Sequence, residues 1–175
     1  MDLLAPSAAI QNPDPENLRN ALRFWATGVA IISVQHEGKV HGMTANSFTS
    51  LSLNPPLVLV SLEKITRTHD LVKQAKKFAV TILSREDRGI SDRFAGRDAS
   101  GDGDRFAGVK VFQLETGNSI LANGLAFFDC RVVAAYSAGT HTLFVGQVLS
   151  SGHANDSSNE PLVYFNRNYR RIIDY

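Results

Sequence analysis

Residues 42–60 read GMTANSFTSLSLNPPLVLV, and this stretch determines the fold more than any other part of the chain. It begins with small hydroxyl and amide side chains, turns at Asn54-Pro55-Pro56 and continues into an apolar strand. Hydroxyl, amide and backbone groups supply many hydrogen-bond donors, and small side chains let a ligand approach the backbone closely. The segment therefore predicts a loop that wraps a polar, phosphorylated ligand and is held in place by a rigid strand.

The composition limits the classes of function. A chain of 175 residues with a formal net charge of +1 fits one domain, and its charge does not point to nucleic acid or an anionic membrane as a partner. The only cysteine, Cys130, excludes an internal disulfide and favours a reducing compartment. Because its neighbours predict a strand, we expect a buried, inert thiol. No apolar run approaches the roughly 18 residues of a membrane-spanning helix, so we expect a cytoplasmic protein.

The chain is predicted to form one domain, over residues 14–175, after a flexible N-terminal leader over residues 1–13. Many short strands, few helices and non-alternating connections favour an antiparallel barrel over a parallel βαβ sheet. The sequence lacks G-x-G-x-x-G and G-x-x-x-x-G-K-[ST], so a Rossmann or P-loop nucleotide site has no support. We therefore expect a mainly β fold with a few short flanking helices.

The individual elements follow from hydrophobic spacing. Leu18, Leu22 and Trp25 recur at helical spacing and predict a first helix that starts near Pro15 and stops before Gly28. The almost wholly apolar run over residues 57–62 predicts a strand that is buried on both faces. Further strands are predicted over residues 29–34, 78–83, 126–135, 142–149 and 162–165, a hairpin turn over 37–39, and helices over 68–77 and 85–94.

A five-residue sequence occurs twice in the polar, glycine-rich part of the chain. Asp92-Arg93-Phe94-Ala95-Gly96 returns as Asp104-Arg105-Phe106-Ala107-Gly108. One short repetition does not indicate a solenoid, which needs a longer period and more copies. We interpret the two copies as loop ends that each anchor a phenylalanine.

No conventional active-site motif is present. The five histidines are scattered and lack H-E-x-x-H or a clustered carboxylate, so a metal site is not expected. There is no G-x-S-x-G, so a serine hydrolase lacks support as well. A chain rich in donors, hydroxyls and aromatic rings suits a protein whose difficult chemistry belongs to a bound organic cofactor.

Two segments are candidates for binding such a cofactor. The segment from Thr44 to Ser52 has the donors to cradle a flavin, and the alternative is an ordinary polar loop between strands. Residues 61–68, SLEKITRT, combine a strand end, two cations, hydroxyls and a helix start, which together indicate a phosphate site. The alternative for this second segment is a capped helix with solvated charges.

A third candidate set lies in the last third of the chain. It combines residues 139–146, GTHTLFVG, with the tail over residues 164–170, YFNRNYR. A lone histidine that enters a strand is more often structural than functional. Arginine and tyrosine in a tail are common surface residues, although they also suit stacking and phosphate recognition.

Taken in order, these motifs resemble the short-chain flavin reductase family, the small reductase components of two-component flavin monooxygenases. The similarity runs from about Phe24 to Tyr169. It rests on residues 26–32 (ATGVAII), 42–52 (GMTANSFTSLS), 54–58 (NPPLV), 94–96 (FAG), 105–108 (RFAG), 141–148 (HTLFVGQV) and 164–170 (YFNRNYR).

The resemblance implies a split β-barrel of the FMN-binding type, assembled as a homodimer with the flavin near the subunit interface. It implies reduction of FMN or FAD by NADH or NADPH, with hydride transfer to flavin N5 and delivery of reduced flavin to a partner monooxygenase. The site residues that it implies are Thr44, Ala45, Asn46, Ser47, Phe48, Ser50, Ser61 and Leu62 for the isoalloxazine and ribityl, Lys64 and Arg67 for phosphate, and His141, Arg167 and Tyr169 on the nicotinamide side.

One departure from the family pattern bears on the chemistry. Many members carry aspartate before the histidine, whereas this chain has Thr140 before His141. The acidic partner that would orient His141 or raise its pKa is missing, so we expect His141 to position a ligand rather than to exchange a proton. The alternative functions are a flavoprotein that retains its flavin and reduces a corrinoid or ferric complex, a flavin-binding electron carrier, and a pyridoxamine-phosphate-oxidase-like barrel.

Overall fold

The computed structural model describes residues 14–97, 103–154 and 160–173, so the predicted leader over residues 1–13 lies outside the described residues. Within them the chain is mainly β, with short helices at three places, as the sequence predicted. The helices are α1 (Pro15–Leu22), α2 (Arg67–Ala75) and α3 (Arg88–Phe94), and a 3-10 turn (Arg85–Asp87) precedes α3. The strands are β1 (Thr27–Gly28), β2 (Ala30–His36), β3 (Lys39–Ala45), β4 (Thr49–Leu53), β5 (Pro56–Glu63), β6 (Lys77–Ile82), β7 (Val111–Phe112), β8 (Ile120–Leu121), β9 (Ala126–Ala138), β10 (His141–His153), β11 (Val163–Phe165) and β12 (Asn168–Arg170).

Seven strands form one antiparallel sheet in the order β3-β2-β6-β9-β10-β5-β4. Its two edge strands, β3 and β4, are consecutive in the chain and are separated only by residues 46–48. The step from residue 45 to residue 49 spans at most about 14 Å of extended chain. The two edges of the sheet therefore approach each other at this link.

The core lies on both faces of β2, because its alternate side chains enter two different clusters. Ile32 and Val34 pack with Phe78, Phe144 and the α2 side chains. Ile31 on the opposite face packs with a second cluster that includes Phe94, Leu121 and Leu162. Strand β2 is thus the wall that the two clusters share.

The prediction that residues 57–62 are buried on both faces was wrong. Val58, Val60 and Leu62 are buried in β5, whereas Leu57, Leu59 and Ser61 between them are only half-buried. The described elements cover the second face of β5 only in part, so this strand alternates in spite of its apolar sequence. Unlike β2, it has a full layer on one side alone.

Several boundaries also differ from the prediction. The first helix begins where Asp14 accepts hydrogen bonds from the backbone N–H groups of Glu16 and Asn17, and it ends at Leu22, one turn before Trp25. The strands predicted over 126–135 and 142–149 are two 13-residue strands, β9 and β10. Strand β4 was missed, because its serines and threonine suggested a loop.

The two copies of the repeated sequence pack against each other beside β3. The Phe94 and Phe106 rings meet edge to face, with 4.8 Å between their centroids. Both rings lie against Gly42, where a Cβ atom would come within 2.7 Å of Phe94 and 3.1 Å of Phe106. Glycine is therefore required at this point of β3, and each copy does anchor a phenylalanine as predicted, although the first copy is a helix end rather than a loop end.

Candidate functional site

The link between β3 and β4 is tied to β5 by one hydroxyl group. Ser47 Oγ donates to the Ser61 carbonyl at 2.8 Å and accepts from the Ser61 N–H at 3.3 Å. Strand β4 begins at Thr49, opposite Leu59, so the Ser47 side chain continues the pairing of β5 beyond the end of β4. Ser47 and Ser61, both predicted site residues, are therefore in contact, and this contact fixes the position of the link.

Thr44 fixes the other end of the link and leaves its backbone free for binding. Its hydroxyl donates to the Ser91 carbonyl of α3 at 2.6 Å. The Gly42 carbonyl accepts from Arg105 and therefore points away from β2. Because orientation alternates along an antiparallel strand, the N–H and C=O of Thr44 point to the same outer edge. The predicted use of the Thr44 backbone, rather than its side chain, fits this geometry.

The other predicted residues Phe48, Leu62 and Ser50 differ in their burial and in their contacts. Phe48 packs against the Phe128 ring, with 5.2 Å between centroids, and so anchors the link to the core. The Leu62 side chain is fully buried in that core, which leaves only its backbone for a ligand. Ser50 is exposed on β4, opposite Val58.

Three adjoining cavities follow the segment from Met43 to Thr49. The arginine cavity, of about 1000 Å³, is lined by Thr44, by the start of α2 and by Arg105. The tyrosine cavity, of about 150 Å³, shares Thr44 with it and is closed by Tyr164 and Tyr169. The tryptophan cavity, of about 390 Å³, shares Ala45 and Asn46 with the tyrosine cavity and is lined by Trp25 and Thr27. Together the cavities form a site for an extended ligand.

The arginine cavity is electropositive. Arg67 lies in the first turn of α2, after the cap at Thr66, whose hydroxyl accepts from the His69 N–H. Burial, together with the charges of Arg105 and Arg67, lowers the pKa of His41 to about 4, so this imidazole is neutral near pH 7. Two guanidinium groups and a helix N-terminus favour an anionic ligand here. The cavity therefore suits the predicted phosphate role of Arg67.

The tryptophan cavity contains a polar atom without a partner. Thr27 Oγ1 is buried and has no hydrogen-bond partner among the described residues. It lies on the same cavity wall as Ala45, Asn46 and Ser47. A buried, unsatisfied hydroxyl is costly, and a ligand with a polar edge would satisfy it. The donor set around this cavity thus fits the polar edge of a flavin ring.

Tyr169 closes the tyrosine cavity and is held on several sides. Its hydroxyl donates to Asp92 at 3.0 Å and is 2.9 Å from the Ser91 hydroxyl. Arg88 lies over its ring at 5.3 Å from the centroid. Burial, as well as the neighbouring Asp92 carboxylate, raises the pKa of the Tyr169 phenol. The structure therefore brings this predicted residue next to Thr44, Ala45 and Asn46.

Lys64 and His141 lie in a different place. Lys64 Nζ donates to the Ser137 hydroxyl at 2.8 Å and to the Gly139 carbonyl at 2.7 Å, so it holds the turn between β9 and β10. His141 begins β10 opposite Glu63, and its Nδ1 is 2.9 Å from the Thr140 hydroxyl. The structure therefore groups these two predicted residues together, and neither lines the tyrosine cavity.

Arg167 lies in a third location. Together with Asn166 it forms the two-residue turn between β11 and β12, and both residues have positive φ, 62° and 48°. Such a pair is typical of a type I′ hairpin turn. Arg167 is exposed there, and of the predicted nicotinamide-side residues His141, Arg167 and Tyr169, Tyr169 lines the tyrosine cavity whereas the other two do not.

Several residues that line the site had no individual role predicted from sequence. Thr27 and Trp25 belong to or adjoin the ATGVAII motif, which supported the family resemblance but was not assigned to a ligand. Arg97 and Arg105 belong to or adjoin the repeated sequence, which was interpreted as structural. The recurrence of Asp-Arg-Phe-Ala-Gly, and the part of it that supported the family resemblance (94–96 and 105–108), were the signals that pointed to this region.

Other chemistry has little support in the described residues. Their His, Cys, Asp and Glu side chains form no group of three or more that could hold a metal ion. Cys130 is buried, and burial raises its pKa to about 12, which confirms the expectation of an inert thiol. No helix in the described ranges is long and apolar enough to cross a lipid bilayer.

Comparison with known proteins identifies relatives over nearly the whole chain. Residues 22–172 match the model of the flavin reductase like domain. The chain is 35% identical over 157 residues to the NADH-dependent flavin reductase StyB of Pseudomonas fluorescens, which covers 89% of each chain. It is 33% identical over 166 residues to the reductase component of a Rhodococcus opacus 4-nitrophenol 4-monooxygenase/4-nitrocatechol 2-monooxygenase, which covers 95% of this chain and 85% of that one. The structure of the Streptomyces globisporus NADH:FAD oxidoreductase SgcE6 superposes with a TM-score of 0.87 at 30% identity, over 97% of this chain and all of that one.

Proposed function

Because the chain belongs to the flavin reductase like family, we propose that it is an NAD(P)H:flavin oxidoreductase that reduces FMN or FAD. Family membership covers residues 22–172, which is nearly the whole of the described chain. The relatives are named as NADH-dependent reductases and as reductase components of monooxygenases. The reduced flavin is accordingly delivered to a partner monooxygenase.

The observation that carries the proposal is the row of cavities along the link between the two sheet edges. At one end, an unpartnered Thr27 hydroxyl and the small residues of the link offer a surface for a polar ring. At the other end, Arg67 and the start of α2 offer a site for an anion. A flavin mononucleotide has these two chemical features at its two ends, and the arginine and tryptophan cavities, which meet at the neighbouring residues Thr44 and Ala45, suit a ligand of that kind.

The protein's own residues bind and orient the reactants. The outward backbone N–H of Thr44 and the amide of Asn46 are donors for the polar edge of the ring, and Arg67 binds the phosphate. The chemistry supplied by a bound flavin is acceptance of a hydride at N5 from nicotinamide C4. By holding both reactants side by side the chain would accelerate the reaction mainly through proximity, and the Thr44 and Asn46 donors would stabilise negative charge on the ring. No side chain has to exchange a proton in that step, which agrees with the neutral His41 and with Thr140 beside His141.

The assembly follows from the sheet edges and from exposed apolar side chains. The short link between β3 and β4 brings the edges together, and we infer that the sheet curls into a split barrel with the ligand along the split. Leu51 and Leu53 on β4, and Val133 and Tyr136 on β9, expose large apolar side chains, with Leu53 at 90%. Surfaces of this kind support a homodimer. The single buried thiol supports a cytoplasmic location.

The first experiment is an anaerobic stopped-flow measurement with the purified chain, FMN or FAD, and NADH or NADPH. We expect the absorbance of the oxidised flavin to disappear far faster than without protein, with a preference for one flavin and one nicotinamide. The absence of acceleration with all four pairs would contradict the reductase proposal.

The location of the flavin is tested separately with Arg67→Met. A charge-assisted bond to phosphate contributes roughly 1.5–3 kcal/mol, so the Kd for FMN should rise about tenfold or more. Riboflavin, which has no phosphate, should bind both proteins equally. Lys73→Met removes a cation from the other end of the same helix and is the matched control. A Kd for FMN that does not change in Arg67→Met would place the phosphate elsewhere.

A further inference from the structure

Asp92 of α3 contacts residues that line the tyrosine cavity but does not line the cavity itself. Its Oδ1 accepts from the Tyr169 hydroxyl at 3.0 Å and lies 3.5 Å from Nη1 of Arg97. Its Oδ2 lies 3.9 Å from Nε of Arg88, the same arginine that covers the Tyr169 ring. Tyr169 and Arg97 both line the cavity. Asp92 therefore contacts two cavity residues from behind.

The carboxylate determines the hydrogen-bonding character of Tyr169. A phenol has one proton, and a carboxylate can only accept, so the Tyr169 hydroxyl donates to Asp92. The Ser91 hydroxyl, at 2.9 Å, must then be the donor to the Tyr169 oxygen. Because the hydroxyl proton of Tyr169 is used in the bond to Asp92, the Tyr169 oxygen can offer a ligand in the cavity only a hydrogen-bond acceptor.

Arg97 supplies the complementary group. Burial lowers the pKa of Arg97, but a hydrogen bond with the Tyr164 hydroxyl and the charge of Asp92 outweigh it, so the pKa is raised. About half of its side chain is exposed, at 54%, so donors remain free for a ligand. An acceptor and a donor therefore lie on one small wall beside Asn46. A primary carboxamide, with an N–H₂ donor and a C=O acceptor, matches that pair.

We infer that Asp92 is a positioning residue for the electron donor: it accepts the hydrogen bond of the Tyr169 hydroxyl and holds the Arg97 guanidinium, and so presents an acceptor and a donor to the nicotinamide carboxamide. This inference rests on the proposed function. Asp92 touches neither reactant and acts through Tyr169 and Arg97.

A double-mutant cycle tests the inference. Asp92→Ala should raise the KM for NADH about tenfold while kcat stays within about twofold, because a carboxamide contact is lost and the flavin site is kept. In the Tyr169→Phe background, Asp92→Ala should add less than about threefold, since the two residues form one unit. The same tenfold increase in both backgrounds, or a loss confined to the Kd for flavin, would overturn the inference.

A second readout does not depend on turnover. In the full chain labelled with ¹³C at tyrosine Cζ, Asp92→Ala should lower the pKa of the Tyr169 phenol, because a neighbouring negative charge is removed. Asp92→Asn, which keeps the shape of the side chain, should act in the same direction. Asp104→Ala, the equivalent change in the other copy of the repeat, should leave the Tyr169 titration unchanged.

The two readouts separate the possible failures. If the wild type does not oxidise NADH with either flavin, the proposed function fails, and the Tyr169 resonance then reports NAD⁺ binding directly. NAD⁺ should shift that resonance in the wild type, with about tenfold weaker binding in Asp92→Ala. A Tyr169 titration that is the same in the wild type and in both Asp92 variants, or a resonance that NAD⁺ leaves unmoved, would overturn the inference.

Discussion

The two copies of Asp-Arg-Phe-Ala-Gly, residues 92–96 and 104–108, pack side by side, and yet they use their residues in opposite ways. In the first copy the phenylalanine is fully buried, and the aspartate contacts a tyrosine 77 residues away. In the second copy the phenylalanine is half-buried, and the aspartate accepts from the N–H of Phe106 within its own turn.

The arginines reverse this pattern. Arg105 of the second copy reaches inward and donates to the carbonyls of Gly42 and Phe94, at 3.0 and 2.8 Å. Arg93 of the first copy donates to the Ala107 carbonyl at the surface, at 3.0 Å. Each copy thus binds the other through one arginine, and the partner surface decides which residues point inward. Identical local sequence does not specify identical contacts when the neighbours differ.

The largest expected effect is the difference in the free energy of unfolding that is lost when each of the two phenylalanines is replaced by alanine. Phe94→Ala should lower the free energy of unfolding by about 3–5 kcal/mol, because it leaves a cavity at a fully buried position. Phe106→Ala should cost only about 1–2 kcal/mol, since part of its ring is already in contact with water. Urea unfolding measures both values. Equal losses would show that the two copies are energetically equivalent, in conflict with their different burial.

The next largest effect concerns the arginines, and here the larger loss of stability is expected in the second copy rather than in the first. Arg105→Met should lower the free energy of unfolding by about 1.5–3 kcal/mol, because two carbonyls lose a charged donor. The Arg93 bond to the Ala107 carbonyl is exposed to solvent, so the loss of that bond in Arg93→Met should contribute less than about 1 kcal/mol. The same unfolding experiment compares the two variants. A greater loss for Arg93 than for Arg105 would contradict the assignment of the inward-facing arginine.

Much of the fold could be predicted because local signals coincide with final contacts. The helix α2 has a threonine cap and lysines near its end, and β2 and β6 are apolar runs that fill the core. Strand β4 could not be predicted, because Ser-Leu-Ser becomes a strand only through pairing with β5. The prediction that both faces of β5 are buried was wrong for a similar reason, since the hydrophobicity of a strand does not show which of its faces another layer will cover.

The candidate site was easiest to recognise where it is continuous in sequence. The segment from Thr44 to Ser50 could be recognised from its composition, and the structure places it between the two sheet edges. Asp92 and Arg105 could not be assigned, because their roles arise from contacts with Tyr169, 77 residues away, and Gly42, 63 residues away. Lys64 was assigned to phosphate from its place beside a predicted helix start and from the family resemblance, whereas in the structure its ammonium group donates to the Ser137 hydroxyl and the Gly139 carbonyl.

The smallest expected effect concerns the one feature that the two copies share. Gly96 and Gly108 have nearly the same positive φ, 69° and 71°, so alanine at either position adopts a strained backbone that costs roughly 1–2 kcal/mol. Gly96→Ala should cost slightly more than Gly108→Ala, because its Cβ would lie 3.3 Å from Nη2 of Arg105, while the space at Gly108 is open. Gly89→Ala, inside α3 with no atom within 4 Å of the new Cβ, is the control and should stabilise the chain by roughly 0.5–1 kcal/mol.

Thermal unfolding of the three variants measures these differences, and a stabilising effect at Gly108 would show that its backbone does not hold the left-handed conformation. Similar losses at Gly96 and Gly108, beside unequal losses at the phenylalanines and arginines, would show that the repeated sequence specifies the turn, while the surrounding chain specifies the contacts.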